Sequence, residues 1–378
     1  RKGVEGLLQA NGVKVVEGTA TFVDEKTVCV HSENRANETL RADNIILATG
    51  SIPACPPILG IHSDFCIDST AALSLDHVPQ SMVIVGGGVI GIELACAYHA
   101  FGTQITILEM AERILPNMDA EISVNLRRDL EKRGIKIETK IKVTGFTSDD
   151  GTSVCCAERD GVQTKFAAEK MLIAIGRRAD FSALAPEKAG IKAERWISVD
   201  EHLRTNVPHI YAIGDCNGKT LLAHAASEQG MIAAENCMGA NRAFGGNACP
   251  SGIYSDPEIA SAGLTEEQAK EQGRKYRTGT FTVMANGRAL TQGQQTGFVK
   301  ILVAEECDEI LGVHIYAPQA TELIAQAVLA MRLEATLEEL VDTIFAHPTL
   351  SECLHEAALA ADGRAIHIPN RPPKSGRR

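Results

Sequence analysis

Three groups of residues have the types and spacing to do chemistry. The first is Gly86-x-Gly88-x-x-Gly91, set directly behind the β-branched run Ser81-Met82-Val83-Ile84-Val85 and ahead of a helical pattern over residues 92–101. In that context Gly86 permits a tight turn, Gly88 lets the backbone approach a pyrophosphate, and Gly91 lets helix and strand pack closely. Val89 and Ile90 complete the loop, where helix N–H groups and a positive dipole end face the phosphates. Glu109 follows at the end of a second apolar strand, 18 residues past Gly91, close to the spacing such sites use. A carboxylate there accepts bonds from a ribose 2′-hydroxyl and repels a 2′-phosphate, so the pattern predicts NAD rather than NADP. Arg113 is the one nearby basic residue that a 2′-phosphate could use. Glu93, one turn into the helix, either contacts the nicotinamide side or caps the helix.

The second group suggests another ligand. Thr49-Gly50-Ser51 ends an apolar run, as a buried parallel strand does when it delivers its carboxyl end to a ligand. The apolar strand within residues 205–215 ends in Gly214-Asp215, where glycine allows close approach and the carboxylate can bind a sugar-like hydroxyl chain. The third group is His347-Pro348-Thr349-Leu350-Ser351-Glu352. Its Thr349 to Glu352 spacing also reads as a capping box opening a helix through residue 361.

These groups need elements to hold them. Residues 13–40 alternate apolar and polar, which predicts antiparallel strands. Residues 119–133 read as a helix with Asp119 as N-cap and Ile122, Leu126 and Leu130 on one face. An Ala-rich helix is expected over 223–237, a boundary loop over 239–250, and antiparallel strands beyond it, including 298–303. Helices at 320–332, 336–345 and 350–361 would complete an α+β region, with a disordered tail over 370–378.

Composition bounds the class. The 378 residues, 44% of them hydrophobic, suggest two or three domains at about 150 residues each. With 37 basic against 48 acidic residues the net charge is −11, which disfavours nucleic acid and anionic membrane as partners. No apolar run reaches bilayer length. Eleven cysteines, an odd number with irregular spacing and no C-x-x-C pair, argue against a zinc ribbon, a secreted disulfide scaffold or a thioredoxin motif. They read as reduced thiols in a cytoplasm, with Cys155-Cys156 on a hairpin strand; no metal centre is expected.

In order along the chain, Ala48-Thr49-Gly50-Ser51, Val85 to Gly91, Ala174-Ile175-Gly176-Arg177-Arg178, the 205–215 segment and His347 to Glu352 resemble the pyridine nucleotide–disulfide oxidoreductases. The resemblance covers essentially the whole chain. It implies an α/β fold: Rossmann-like FAD- and NAD-binding domains and an α+β C-terminal dimerisation domain. The expected segments are 1–77 and 197–248 for the FAD domain, 78–196 for the NAD domain and 249–378 for dimerisation. It implies FAD contacts from Thr49, Gly50, Ser51, Asp215, Leu222, Ala223 and His224. Gly86, Gly88, Gly91, Glu93, Glu109, Val143 and Gly176 would line the NAD site. His347 would be the acid/base for a dithiol, oriented by Glu352 and lent to the other subunit's site in a homodimer. Independently, a thiol of pKa near 8.5 needs a base to become a thiolate, and an imidazole near 6.5 suits the task.

Within the family the motifs are most similar to the branch that oxidises dihydrolipoamide with NAD+, whose partner is the lipoyl domain of an acyltransferase component. An NADP-dependent, glutathione-reductase-like enzyme is the alternative, disfavoured by Glu109; a mercuric-reductase-like enzyme would need a further thiol pair. A non-catalytic NAD-binding and dimerisation module is the rival from another class. The family also carries a second dinucleotide loop and a C-x-x-x-x-C redox pair, which this sequence lacks. Both belong ahead of Val4 in the family pattern, so the chain reads as a piece starting inside the FAD domain and is expected not to reduce lipoamide alone. Phe345 stands where the family often has a second histidine.

Overall fold

The computed structural model describes residues 2–33, 35–245 and 248–370. The chain forms two compact units, one of Arg1–Ile52 with Arg177–Gly245, the other of Pro53–Gly176 with Gly246–Arg378.

In the larger unit, five parallel strands run in the order Cys66–Asp68, Lys170–Ile173, Ser81–Val85, Gln104–Leu108, Lys136–Glu138. The apolar run at 81–85 is continuous because both faces of its strand are covered. Met82 and Ile84 face Ile92 and Ala95 of the helix Val89–Ala100 and Ile122, Leu126 and Leu130 of the helix Ala120–Lys132. Val83 and Val85 face the other way, against Phe146, Cys155 and Ala157 of an antiparallel sheet, Lys142–Asp149, Thr152–Arg159 and Val162–Ala167. Each such side chain, fully buried, is worth about 1.5–3 kcal/mol. The Ala120–Lys132 helix starts at Asp119, whose carboxylate accepts the Glu121 N–H.

The C-terminal part of this unit is a five-stranded antiparallel sheet: Ser251–Ile253, Glu258–Gly263, Ile310–Ala317, Phe298–Ala304 and Tyr276–Thr282 in spatial order. The helices Ala320–Arg332 and Glu352–Ala361 lay Leu323, Ile324, Ala327, Leu354, Ala357 and Ala358 on Val299, Ile301, Val313 and Ile315. A buried ion cluster ties this sheet to the nucleotide-type sheet's second helix. The Lys300 ammonium, 3% exposed, lies 2.9 Å from Asp119 Oδ1, 2.5 Å from Glu266 Oε1 and 3.3 Å from Glu121 Oε2. Burial alone would lower the Lys300 pKa, but its bonds to Asp119 and Glu266 outweigh that and raise it. Burial likewise works to raise both carboxyls, and the same ammonium holds them below their usual range.

In the smaller unit, Thr19–Asp24, Thr27–His31 and Glu38–Arg41 form the expected antiparallel sheet. Ile45–Leu47 and Ile210–Ala212 pair in parallel and lead into the helix Ala223–Cys237.

Several expectations need correcting. The helix sought at 336–345 stops at Asp342, leaving Ile344 97% exposed. The last helix begins at Glu352, and its capping box is half formed: Glu352 Oε2 accepts the Thr349 N–H at 2.8 Å, but the Thr349 hydroxyl donates to Ala346 O instead. The helix Lys2–Ala10, not foreseen, buries no residue. The tail expected to be disordered lies, after Asn370, outside the described residues. All eleven cysteines are free thiols; Cys155 and Cys156 are consecutive on one strand, and burial pushes the Cys155 thiol up to about 12. Among the described residues no helix is long and apolar enough to cross a membrane.

Candidate functional site

The nucleotide-type site is built where strand order reverses, at the carboxyl ends of Ser81–Val85 and Lys170–Ile173. Gly86 has φ +108°, and a Cβ there would stand 2.4 Å from Ala174 O; one on Gly91 would stand 2.0 Å from Gly86 O. Turn and helix therefore meet as the spacing of the glycines predicts. Gly88 differs. It is the N-cap of Val89–Ala100, makes no side-chain cap bond, and has nothing within 4 Å of where a Cβ would be. Open ground thus lies in front of the first-turn N–H groups, a cradle that a pyrophosphate fits.

Val89 is exposed here, while Ile90 is half-buried against the core. Glu109 closes the loop from the side. Its Oε2 accepts the Gly87 N–H at 2.7 Å and its Oε1 the Ala111 N–H at 2.6 Å, each oxygen keeping a lone pair for a ribose hydroxyl.

Glu93 is not a helix cap: its Oε1 accepts the Tyr254 N–H at 2.9 Å. Val143 points its side chain into the core with Val85, Leu108 and Ile141, so only its backbone is available to a ligand. Gly176, φ +116°, has open space at its α-carbon, and its carbonyl accepts the Ala54 N–H. Arg113 is engaged elsewhere, donating to Pro116 O and Met118 O and standing 3.2 Å from Glu267.

The second group assembles within the smaller unit. The parallel pair Ile45–Leu47 and Ile210–Ala212 carries Thr49-Gly50-Ser51 and Gly214-Asp215 off the same edge. Ser51 Oγ donates to Asp215 Oδ2 at 2.5 Å, and Arg177 donates to both Ser51 Oγ and Ser51 O at 2.7 Å. Gln229, fully buried, accepts the Gly214 N–H at 2.7 Å and an Asn217 N–H at 2.8 Å, which fixes the turn bearing Asp215.

The Gln229 Nε2 is buried with no partner, a donor unused within the protein. Gly50, φ +69°, has open space at its α-carbon. Leu222 caps the helix Ala223–Cys237 without a side-chain bond, leaving Ala223 and His224 exposed at its positive end. A carboxylate, an unused buried donor and an open helix N-terminus fit a phosphorylated, polyhydroxylated cofactor. Neither Arg177 nor Gln229 had been given a role from sequence. Arg177 lies in the Ala174-Ile175-Gly176-Arg177-Arg178 motif, whereas Gln229 carries no sequence signal.

His347 and Glu352 stand together in the larger unit. His347 Nδ1 meets Glu352 Oε1 at 2.8 Å, so Nδ1 is the donor and Nε2 carries the lone pair, on a ring 74% exposed. Burial works to raise the Glu352 carboxyl, but the Thr349 N–H and His347 outweigh it and hold it below the usual range. Phe345 stacks on His355 with ring centroids 5.0 Å apart, and His355 Nε2 meets Val341 O, so neither ring joins His347.

Residues 1–230 match the family model for pyridine nucleotide-disulphide oxidoreductase, and residues 249–358 match that family's dimerisation domain. A dihydrolipoyl dehydrogenase of Bacillus subtilis (strain 168) is 45% identical over 379 residues, covering 97% of this chain and 80% of that protein. The mitochondrial dihydrolipoyl dehydrogenase of Pisum sativum is 39% identical over 371 residues, covering 97% and 74%. The solved structure of the HOCl-induced flavoprotein disulfide reductase RclA from Escherichia coli superposes with a TM-score of 0.86 at 29% identity, over 94% of this chain and 81% of that one. With both of its regions matched and the glycine loop, Glu109 and the His347–Glu352 pair in place, the chain belongs to the pyridine nucleotide-disulphide oxidoreductase family.

Proposed function

We propose that the protein works as a dihydrolipoyl dehydrogenase, oxidising dihydrolipoamide and reducing NAD+ with FAD as resident cofactor. The observation that carries this reading is the Glu109 carboxylate, fixed on the Gly87 and Ala111 N–H groups beside an open helix N-terminus. It accepts ribose hydroxyls and repels a 2′-phosphate, and Arg113, the only basic alternative from sequence, is engaged with Pro116, Met118 and Glu267.

When bound, FAD supplies two-electron transfer between a dithiol and NAD+, chemistry that no side chain here provides. The chain's own residues bind, orient and move protons. First-turn N–H groups of Val89–Ala100 hold the dinucleotide's phosphates. Asp215, held by Ser51 and Arg177, would accept hydroxyls of the flavin's sugar chain, and Ala223 and His224 would contact the cofactor at the next helix's N-terminus. His347 Nε2 takes a proton from a thiol and returns it, and Glu352 keeps the ring in the Nδ1–H tautomer and steadies the imidazolium.

The dimerisation match supports a homodimer, in which His347 serves the substrate dithiol at the other subunit's site. The lipoyl domain of an acyltransferase is the expected macromolecular partner, and the free thiols support a reducing cytoplasm. Fluorescence titration with the reduced coenzymes tests the reading: NADH should bind at least about tenfold more tightly than NADPH, one extra charge repulsion beside Glu109 being worth that much. Preference for NADPH, or no binding of either, overturns it.

A further inference from the structure

The charges next to the ribose carboxylate are arranged in neutral pairs. Glu138 ends the strand beside Glu109's own: Leu108 and Glu138 are register partners, and the Glu109 N–H donates to Glu138 O at 2.8 Å. Strand spacing of about 4.8 Å thus sets the two carboxylate-bearing ends side by side. Leu108 packs against the three-stranded antiparallel sheet, so Glu138 faces that sheet too, and there it meets Arg159 at the end of Thr152–Arg159. Arg159 Nη2 donates to Glu138 Oε2 at 2.5 Å, both side chains being nearly two-fifths exposed. Arg159 Nε is buried and has no partner.

Two of the cations that follow these strand ends are also matched by an acid. Arg113 lies against Glu267, and Lys140 lies 2.6 Å from Glu112. Glu109 itself makes no ion pair among the described residues, its two oxygens accepting only the Gly87 and Ala111 N–H groups. The three pairs are not equivalent. Arg113 is held by two carbonyls besides its acid. Lys140 is a largely exposed point charge, and solvent screens it. Arg113 and Arg159 are both half-buried and each keeps an unpartnered Nε, but of the three cations only Arg159 has a planar fork, which suits phosphate, held by a single carboxylate.

We propose that Glu138 is a second determinant of coenzyme choice: by engaging Arg159 it withholds from a 2′-phosphate the neighbouring guanidinium that loss of a single carboxylate would release. Glu138 is a positioning residue, since it acts on the coenzyme through Arg159. The proposal rests on the NAD reading above and adds a residue to it.

Titration of the full chain with NADH and NADPH tests both separately. Glu138→Gln keeps the shape and removes the charge. It should tighten NADPH about tenfold relative to NADH, leave NADH within about twofold, and steepen the salt dependence of NADPH binding. Adding Arg159→Met should abolish the gain. Equal weakening of both coenzymes in Glu138→Gln marks a structural role and overturns the proposal. So does an unchanged ratio, and so does a gain that survives Arg159→Met. In each of those cases tight NADH binding by the unaltered chain leaves the NAD reading standing; if the unaltered chain binds neither coenzyme, both fall.

Discussion

Replacing Lys300 by methionine would remove the ammonium from between Asp119 and Glu266 while keeping most of the side-chain volume. Asp119 is 1% exposed, so its carboxylate would be left buried beside a second acid. Breaking a buried pair by deleting one partner costs about 3–5 kcal/mol. Asp119 would keep the N–H groups of Glu121 and Glu266, at 3.1 and 3.3 Å, which places the loss near the lower end, about 3 kcal/mol. For a unit of this size that lowers the melting temperature by about 6–12 °C.

The pH dependence gives the argument a second handle. Asp119 and Glu266 have depressed carboxyl pKa values when folded, so their contribution is present above the usual 3.8 and 4.5 and is lost as pH falls through the folded values. Without Lys300 they take up protons more readily, and the variant's deficit should shrink from neutrality toward about pH 4. Circular-dichroism melts across that range measure both effects. Adding Asp119→Asn and Glu266→Gln to Lys300→Met should recover at least half of the loss. A shift below about 2 °C, or one of equal size at all pH values, would refute the electrostatic account.

Two other substitutions follow from the same geometry. Gly91→Ala puts a methyl 2.0 Å from Gly86 O and should destabilise the larger unit by several kcal/mol, about the cost of a severe backbone clash, whereas Gly88→Ala meets no protein atom and should melt like the parent while binding NADH at least about tenfold more weakly; calorimetry with a titration separates the two. Glu352→Gln loses a carboxyl whose folded pKa lies below 4.5, so it should be less stable than the parent above that value, with the difference closing as pH falls through the folded pKa; acid-unfolding curves that run parallel down to the lowest pH would refute this.

Local signals in the sequence reached as far as local physics does. The strand, glycines and helix at 81–100 are adjacent, so turn geometry, burial and dipole all act within twenty residues, and the spacing alone foretold their arrangement. His347 and Glu352 are near enough for the same reason. The misjudged capping box shows the limit: with one oxygen on Thr349 N–H and the other on His347, Glu352 serves both of the alternatives that the spacing offered, while the Thr349 hydroxyl turns away to Ala346. Of the two readings of Glu93 only the cap fails, because its partner, the Tyr254 N–H, comes from a segment 161 residues away. The Lys300 cluster was invisible from sequence, since a lysine within an apolar strand pairs with an acid 181 residues earlier. Arg113 looked available because nothing in its neighbourhood reveals that carbonyls of its own loop bind it.

The smaller unit is assembled from two lengths of chain with the first part of the larger unit inserted between them. That ordering has a consequence during synthesis. Ile45–Leu47 emerges from the ribosome early, but its neighbour Ile210–Ala212 is translated only after the whole inserted stretch. At about 5–20 residues per second the waiting strand stays unpaired for roughly 10–30 s. The insert contains its own parallel sheet and can collapse in the interval, so the nucleotide-type sheet should ripen first. Nascent chains are then most vulnerable to aggregation, and most in need of chaperone shelter, through that early apolar edge.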